Sequence, residues 1–172
     1  MDVIGAIRTR RSVRKFKKKA VPMEIIKEII ELSNLAPSAG NLQARDFIVV
    51  REQKMKERLA MAAWSQYFIA EAPIVLVVCS NLERISPYGS RGKDLYCIQD
   101  ASAAVQNILL AVHSKGLSSC WIGAFSEKDV VDVLSLPNYI RPVAIIPIGY
   151  ADEKADEPPH IPTEKLIHYE RW

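Results

Sequence analysis

An α+β sandwich, with helices packed on a mixed β-sheet, is the fold class that the sequence predicts. Three observations carry it. Helical and strand patterns alternate along the chain without forming clean strand–helix–strand units, so a doubly wound parallel sheet fits poorly. The segment Ile74-Val75-Leu76-Val77-Val78-Cys79 is β-branched and apolar with no alternation, as in a strand covered on both faces. Residues 95–115 form the longest helical pattern and are apolar on most of its surface, as in a helix at the centre of a fold or in a subunit interface.

The elements follow in order. Asp2 is placed to cap a short helix to about Thr9, with Val3, Ile4 and Ile7 on one face. A basic segment continues as loop or extended chain. Pro22 suits the first turn of a second helix, striped by Ile25, Ile26, Ile29 and Ile30. That helix stops near Ala36-Pro37, because a residue before proline avoids the helical region. Ser38-Ala39-Gly40-Asn41 reads as a tight loop. A strand is predicted over 46–51 and a third helix over 54–66.

Residues 80–94, with Pro87, Gly89 and Gly92, read as a long loop of the kind used as a functional lid. Gly116 ends the long helix. Ser119 to Gly123 is a short strand running into a turn. Ser126-Glu127-Lys128-Asp129 resembles a capping box that opens a helix to about Leu134. Residues 141–148 form a further strand, whose prolines favour an edge or a bulge. The last twenty or so residues form an extended tail. Its apolar end, Leu166 to Trp172, is expected to pack against something.

The 172 residues, 49% apolar and 25% charged, suit a single domain spanning 1–172. No run of about 18 uncharged apolar residues predicts a membrane span. The first residues lack the basic-then-apolar order of a signal peptide, so a cytoplasmic protein without a membrane partner is expected. Cys79, Cys97 and Cys120 match no zinc spacing, and their odd number argues for buried free thiols. His113, His160 and His168 are too scattered to predict a metal triad.

The net charge of +3 is unevenly placed. Arg8, Arg10, Arg11, Arg14, Lys15, Lys17, Lys18 and Lys19 lie together, and without these eight the chain carries −5. The positive potential at this end suits phosphate, nucleic acid or an anionic surface. Only Phe16 interleaves the basic residues, which disfavours nucleic acid as the partner.

The chain has no phosphate-binding loop of the Walker type, no dinucleotide fingerprint and no serine-hydrolase elbow. No side chains announce an acid–base reaction, which points to a cofactor for the chemistry. Three segments remain. Arg10, Arg11 and Arg14 flank Ser12, and paired arginine donors plus a hydroxyl suit phosphate oxygens. Pro37-Ser38-Ala39-Gly40-Asn41-Leu42-Gln43 offers a hydroxyl and two amides on a constrained loop, groups that match the edge of a heterocycle. Trp121-Ile122-Gly123-Ala124 would let a planar ring approach the backbone. Each segment alone also reads as solvated surface, polar turn or strand end.

Together and in this order, these segments resemble the nitroreductase family of FMN-dependent NAD(P)H oxidoreductases. The resemblance runs over nearly the whole chain. It continues through Asp100, the Gly116-to-Gly123 stretch, Ile148-Gly149-Tyr150 and the tail from Pro162. It implies a homodimer with FMN at the subunit interface and NADH or NADPH as hydride donor. It implies that Arg10 and Ser12 hold the phosphate and ribityl end, with help from Arg11, and that Arg14 approaches the pyrimidine edge. Pro37, Ser38, Ala39, Asn41 and Gln43 would come from the second subunit. The backbone of Ile122 and Gly123 would face flavin N5.

The implied reaction is hydride transfer through the flavin to an electron-poor acceptor, a nitroaromatic or a quinone, with no catalytic side chain. Two departures stand out. The family often continues Gln43 with Pro-Trp, where this chain has Ala44-Arg45. Many relatives carry a tail arginine or lysine for the phosphate, where this chain offers His160. Some relatives use a deazaflavin donor, fragment the flavin or dehalogenate aromatics. A flavin-binding protein without turnover and a nucleic-acid-binding module are the readings from other classes.

Overall fold

The fold is taken from a computed structural model describing all 172 residues, Met1 to Trp172. Two strands buried on both faces organise it. β2 (Ile74–Asn81) and β4 (Ile140–Gly149) pair antiparallel, and every residue of β2 is buried. β1 (Arg45–Val50) joins the free edge of β2, and the two-residue β3 (Ser118–Ser119) joins β4, giving the order β1-β2-β4-β3. All strand pairs are antiparallel. Parallel pairing enters only at an isolated bridge between Ser12 and Ser119.

The unbroken apolar run of β2 is explained by a core on each side. Ile74, Leu76 and Val78 face one layer, together with Ala144, Ile146 and Ile148 of β4. That layer is covered by α2 (Met23–Asn34) and α6 (Cys97–Ser114). Val75, Val77 and Cys79 face the other layer, under α3 (Gln53–Ala62), α4 (Phe68–Glu71) and α7 (Glu127–Leu134). This is the expected α+β arrangement.

Helix ends follow local chemistry. Asp2 Oδ1 accepts from Gly5 N at 2.6 Å and caps α1 (Val3–Thr9). Ser126 Oγ accepts from Asp129 N at 3.3 Å and caps α7. The third helix ends at Ala62, short of the expected 66, because Trp64 and Ser65 both take left-handed backbone angles. The short α4 that follows has no periodic signal of its own.

Three further expectations change. Residues 80–94 are not a long loop. After Asn81 the chain turns through Ser86–Tyr88 into α5 (Gly89–Arg91) and then a π-type turn, Gly92–Tyr96, that runs on into α6. Gly92 permits this close packing, since a Cβ there would lie 2.7 Å from the Tyr88 Cβ and 2.9 Å from the Ile85 carbonyl oxygen. The segment is therefore a packed helical corner in place of the expected lid loop. By length and composition the run Ser86–Ser114 could pass for a membrane span, but half of its apolar stretch is buried inside the protein.

β4 lies between β2 and the two-residue β3, and of the two expected devices the bulge is present: Val78 pairs with Ala144 and Cys79 with Pro142, leaving Val143 as the extra residue, while Pro147 pairs with Val75 in regular register. The strand expected over 119–123 shrinks to Ser118–Ser119, with Ile122 returning as an isolated bridge to Ile145. The tail finds no packing within its own chain, and Trp172 is fully exposed.

All three cysteines are buried free thiols. Burial, with Asp46 adding to it, pushes the Cys79 thiol up from 9.0 to about 12. A thiol held neutral in the fold favours the native state below its unfolded pKa, and that contribution is lost as pH rises from about 9 toward 12. Urea unfolding at pH 7 and pH 10 should therefore show a smaller alkaline loss of stability in Cys79→Ala than in the parent chain.

Candidate functional site

The basic segment after α1 is laid down as an extended ribbon and clipped on both sides. Val13 N donates to Ser119 O at 3.1 Å, beside the Ser12–Ser119 bridge at the end of β3. Lys17 N donates to Tyr150 O, and Asp152 N to Lys15 O, each at 2.9 Å. Val13 and Phe16 turn into a small apolar cluster with Ala72, anchoring the ribbon. The Glu153 carboxylate takes the N–H groups of Arg14 (2.5 Å) and Lys15 (3.1 Å).

Arg10, Arg11, Ser12, Arg14 and His160 thereby line a single cleft of about 760 Å³, walled by Asp156, Glu157 and Pro158. The three arginines are not equivalent. Arg11 donates to the carbonyl oxygens of Arg8 (2.8 Å) and Arg10 (2.9 Å) and pairs with Glu157 at 2.8 Å. The guanidinium groups of Arg10 and Arg14 have no hydrogen-bonding or ionic partner in the chain, nor does that of Arg8, which also lines the cleft.

Nearby groups feel this charge. Burial, then Arg10 and Arg11, hold His113 below the usual imidazole range; its Nε2 lies 2.8 Å from Thr9 Oγ1. Burial pushes the Cys120 thiol up, while Arg14, the Ser12 hydroxyl and Arg10 pull it back down. A cleft with three uncommitted guanidinium groups, a hydroxyl and an imidazole is built for a compact anion. The lysines take no part in it. Lys19 lies over the Tyr150 ring at 4.0 Å, and Lys17 and Lys18 are exposed outside the cleft.

The loop at 37–43 stands elsewhere on the chain. Ala39–Asn41 makes one 3-10 turn, with Gly40 at φ 54°, Asn41 at φ 56° and Gln43 at φ 49°. Ser38 Oγ accepts from Gln43 N at 3.0 Å, and Asn34 Nδ2 donates to Gln43 Oε1 at 3.2 Å. Asp100, on α6, accepts from Ala39 N at 2.9 Å. Pro37, Ser38, Ala39 and Asp100 border an open hollow with Tyr96 and Gln99. Tyr88 of the 80–94 corner packs its hydroxyl over Gly40.

Arg45 closes the second motif where the resemblance would place a tryptophan, and its charge is accommodated by burial. Arg45 is only 2% exposed. Its guanidinium donates to the carbonyl oxygens of Asn34 and Ala36 (2.7 Å each) and of Pro37 and Asp100 (3.2 Å each). Arg84 adds a second anchor, donating to the carbonyl oxygens of Gln43 (2.7 Å) and Arg45 (2.8 Å) while pairing with Asp46. These two arginines are the residues that sequence reasoning missed: the buried Arg45 carries no sign of burial in the sequence, and the exposed Arg84 reads as ordinary surface charge.

Ile122 and Gly123 divide in role. The Ile122 N–H is spent on Ile145 O at 3.0 Å, and Ile145 N returns the bond to Ile122 O. That pairing takes Ile122 out of reach as a donor to any ligand. Gly123 is exposed, its N–H is engaged by nothing in the chain, and it borders a small hollow with Ile98 and Arg141. The predicted residues thus fall into three patches: the arginine cleft with His160, the 37–43 loop, and Gly123.

A nitroreductase family model matches residues 7–67 and 55–150. The chain is 36% identical to a provisionally named NADH dehydrogenase/NAD(P)H nitroreductase of Methanothermobacter thermautotrophicus, over 100% of this chain and 88% of that protein. It is 27% identical to an FMN reductase [NAD(P)H] of Bacillus subtilis, over 99% of this chain and 74% of that protein. Among solved structures, B. megaterium NfrA2 superposes with a TM-score of 0.92 at 26% identity, over 100% of this chain and 76% of that one.

Gly40 is the tightest point of the loop. A Cβ there would lie 2.5 Å from the Tyr88 hydroxyl oxygen, on a backbone at φ +54°. Gly40→Ala should cost about 1–2 kcal/mol from the left-handed conformation alone, and more from the contact. Adding Tyr88→Phe should recover the contact part and leave the backbone part, as read from thermal unfolding of the single and double variants.

Proposed function

The chain belongs to the nitroreductase family, and we propose that it is a homodimeric, cytoplasmic FMN-dependent oxidoreductase that passes hydride from NADH or NADPH to an electron-poor acceptor such as a nitroaromatic or a quinone. The observation that carries this reading is the cleft in which the Arg10 and Arg14 guanidinium groups stand without a protein partner beside Ser12 and His160. The residues fit FMN: a dianionic phosphate would meet the positive groups that the fold leaves uncompensated. The names of the relatives support a nicotinamide donor and a flavin.

Each residue then has a defined task. Arg10, Ser12 and His160 would bind the phosphate, with Arg11 held by Glu157 as a fixed wall of the cleft. Arg14 would set positive charge toward the pyrimidine edge and favour negative charge gathering there. The Gly123 N–H, free of internal bonds, would donate to the ring. The 37–43 loop of the second subunit would cover the ring with Pro37, Ser38, Ala39, Asn41 and Gln43. FMN, when bound, supplies reversible two-electron hydride exchange between donor and acceptor.

The dimer is supported by what the single chain leaves bare. Val3, Ile4 and Ile7 on α1 are exposed, as are Leu166, Ile167, Tyr169 and Trp172 in the tail. An apolar helix face and an apolar tail without packing of their own suit a subunit interface.

Purified protein should be yellow, or turn so on addition of FMN, and should bleach on titration with NADH or NADPH under anaerobic conditions. Protein that takes up no flavin would overturn the reading. Arg10→Ala should weaken FMN binding by about 1.5–3 kcal/mol, whereas Lys18→Ala, at an exposed position outside the cleft, should leave it nearly unchanged. Equal dissociation constants for the two variants would contradict the assignment of Arg10.

A further inference from the structure

We infer that Arg45 is a positioning residue for the flavin site, fixing the 37–43 loop in the form it offers to the second subunit; the inference rests on the FMN reading. The loop's own bonds are local, from Asn41 N to Ser38 O, Leu42 N to Ala39 O and Gln43 N to Ser38 Oγ, and these three do not tie it to the rest of the fold. It breaks regular structure, with three left-handed residues in four positions, Gly40, Asn41 and Gln43. Such a segment keeps one shape only when its surroundings over-determine it.

Arg45 ties the entrance of the loop to the rest of the fold. Its Nη1 and Nη2 atoms reach the carbonyl oxygens of Asn34, Ala36 and Pro37, the residues that lead into the loop, and of Asp100 on α6. Its Nε donates to Asn34 Oδ1 at 3.3 Å. Only a guanidinium has enough donors in one plane to tie the end of α2, the loop entrance and α6 together; a lysine ammonium has three donors on a single atom. Asp100 completes the arrangement from the α6 side, with Oδ1 on Ala39 N and Oδ2 buried without a hydrogen-bond partner. Its negative charge favours the buried Arg45 cation, against the burial that disfavours it.

The carbonyl groups of the loop are thereby consumed from inside. Arg45 holds those of Ala36 and Pro37, Asn41 N holds that of Ser38, and Leu42 N holds that of Ala39. Left for a ligand are the Gly40 N–H, which has no partner in the chain, and the Ser38 O–H, whose oxygen already accepts from Gln43 N. Arg45 touches none of these ligand-facing groups, so it acts through the backbone it holds.

The test compares Arg45→Lys with Leu59→Ala, a core truncation in α3 on the other side of the sheet. FMN affinity is read by fluorescence titration, loop order by amide exchange at Ala39 and Leu42, and stability by thermal unfolding. Arg45→Lys should bind FMN at least about tenfold more weakly, the loss expected from one charge-assisted bond, and should exchange faster at Ala39 and Leu42 while β2 and β4 stay protected. Leu59→Ala should unfold at lower temperature with FMN affinity unchanged. Arg45→Lys binding FMN within about twofold of the parent overturns the inference, as does an equal loss of affinity in Leu59→Ala. A parent chain that takes up no FMN overturns the flavin reading itself, a different result from a parent that binds and a variant that binds equally well. Should Arg45→Lys fail to fold, Asp100→Ala, which removes the acceptor of Ala39 N, carries the same expectations.

Discussion

The antiparallel pairing of β2 with β4, buried on both faces, is the constraint on which the rest of the molecule depends. A strand pair without an exposed face needs a helical layer on each side, and the two apolar clusters meet that need. Placing α6 on one face brings its C-terminal end to Gly116, from which the chain returns as β3 along the edge of β4. Ser119 is set there, and it provides the carbonyl that clips Val13. The arginine cleft is therefore a consequence of the sheet: its ribbon is stitched to the last strand on one side and to residues 150–153 on the other.

That stitching also sorts the charges. Glu153 spends its carboxylate on backbone N–H groups, and Glu157 spends its own on Arg11. The acidic residues beside the cleft thus stabilise its backbone and one wall without neutralising Arg10 or Arg14. Uncommitted cations gathered in one cleft work against the fold in the absence of an anion, a cost that a bound phosphate would offset. His113 is lowered first by burial, to which Arg10 and Arg11 add.

Much of this was legible in the sequence, for identifiable reasons. The caps at Asp2 and Ser126 are short-range chemistry, and both helices begin where those residues place them. The unbroken β-branched run of β2 and the length and apolar surface of the long helix are strong local signals. The 80–94 corner was not legible, because Pro87, Gly89 and Gly92 read as loop residues while its helical packing depends on Ile85 and Tyr88 closing against a glycine. Lys56 carries no sign of burial in the sequence of α3, yet it is buried with its ammonium on Ala72 O at 2.6 Å. Arg45 fails in the same way. Burial of a charged side chain is decided by carbonyl groups that only the folded chain brings together. In the site, the arginine ribbon was visible as a composition, whereas the loss of Ile122 as a donor follows from a long-range bridge that no local pattern marks.

The division of the predicted site into three patches bears on how it would work. The cleft, the loop and Gly123 border separate hollows of one chain, and the loop is held from within by Arg45 and Arg84. A loop anchored at both ends does not swing across its own chain to meet the arginines, which on the proposed reading leaves its ligand-facing groups to the second subunit. On the proposed reading, flavin binding and dimer formation are then one coupled equilibrium, because a ligand that touches both chains binds the dimer more tightly than the monomer. On that reading the exposed apolar face of α1 and the aromatic tail would supply the association energy, and the anion would supply charge compensation across the interface. Neither contribution is complete without the other, which gives a physical reason for a chain of 172 residues to leave so much apolar surface uncovered.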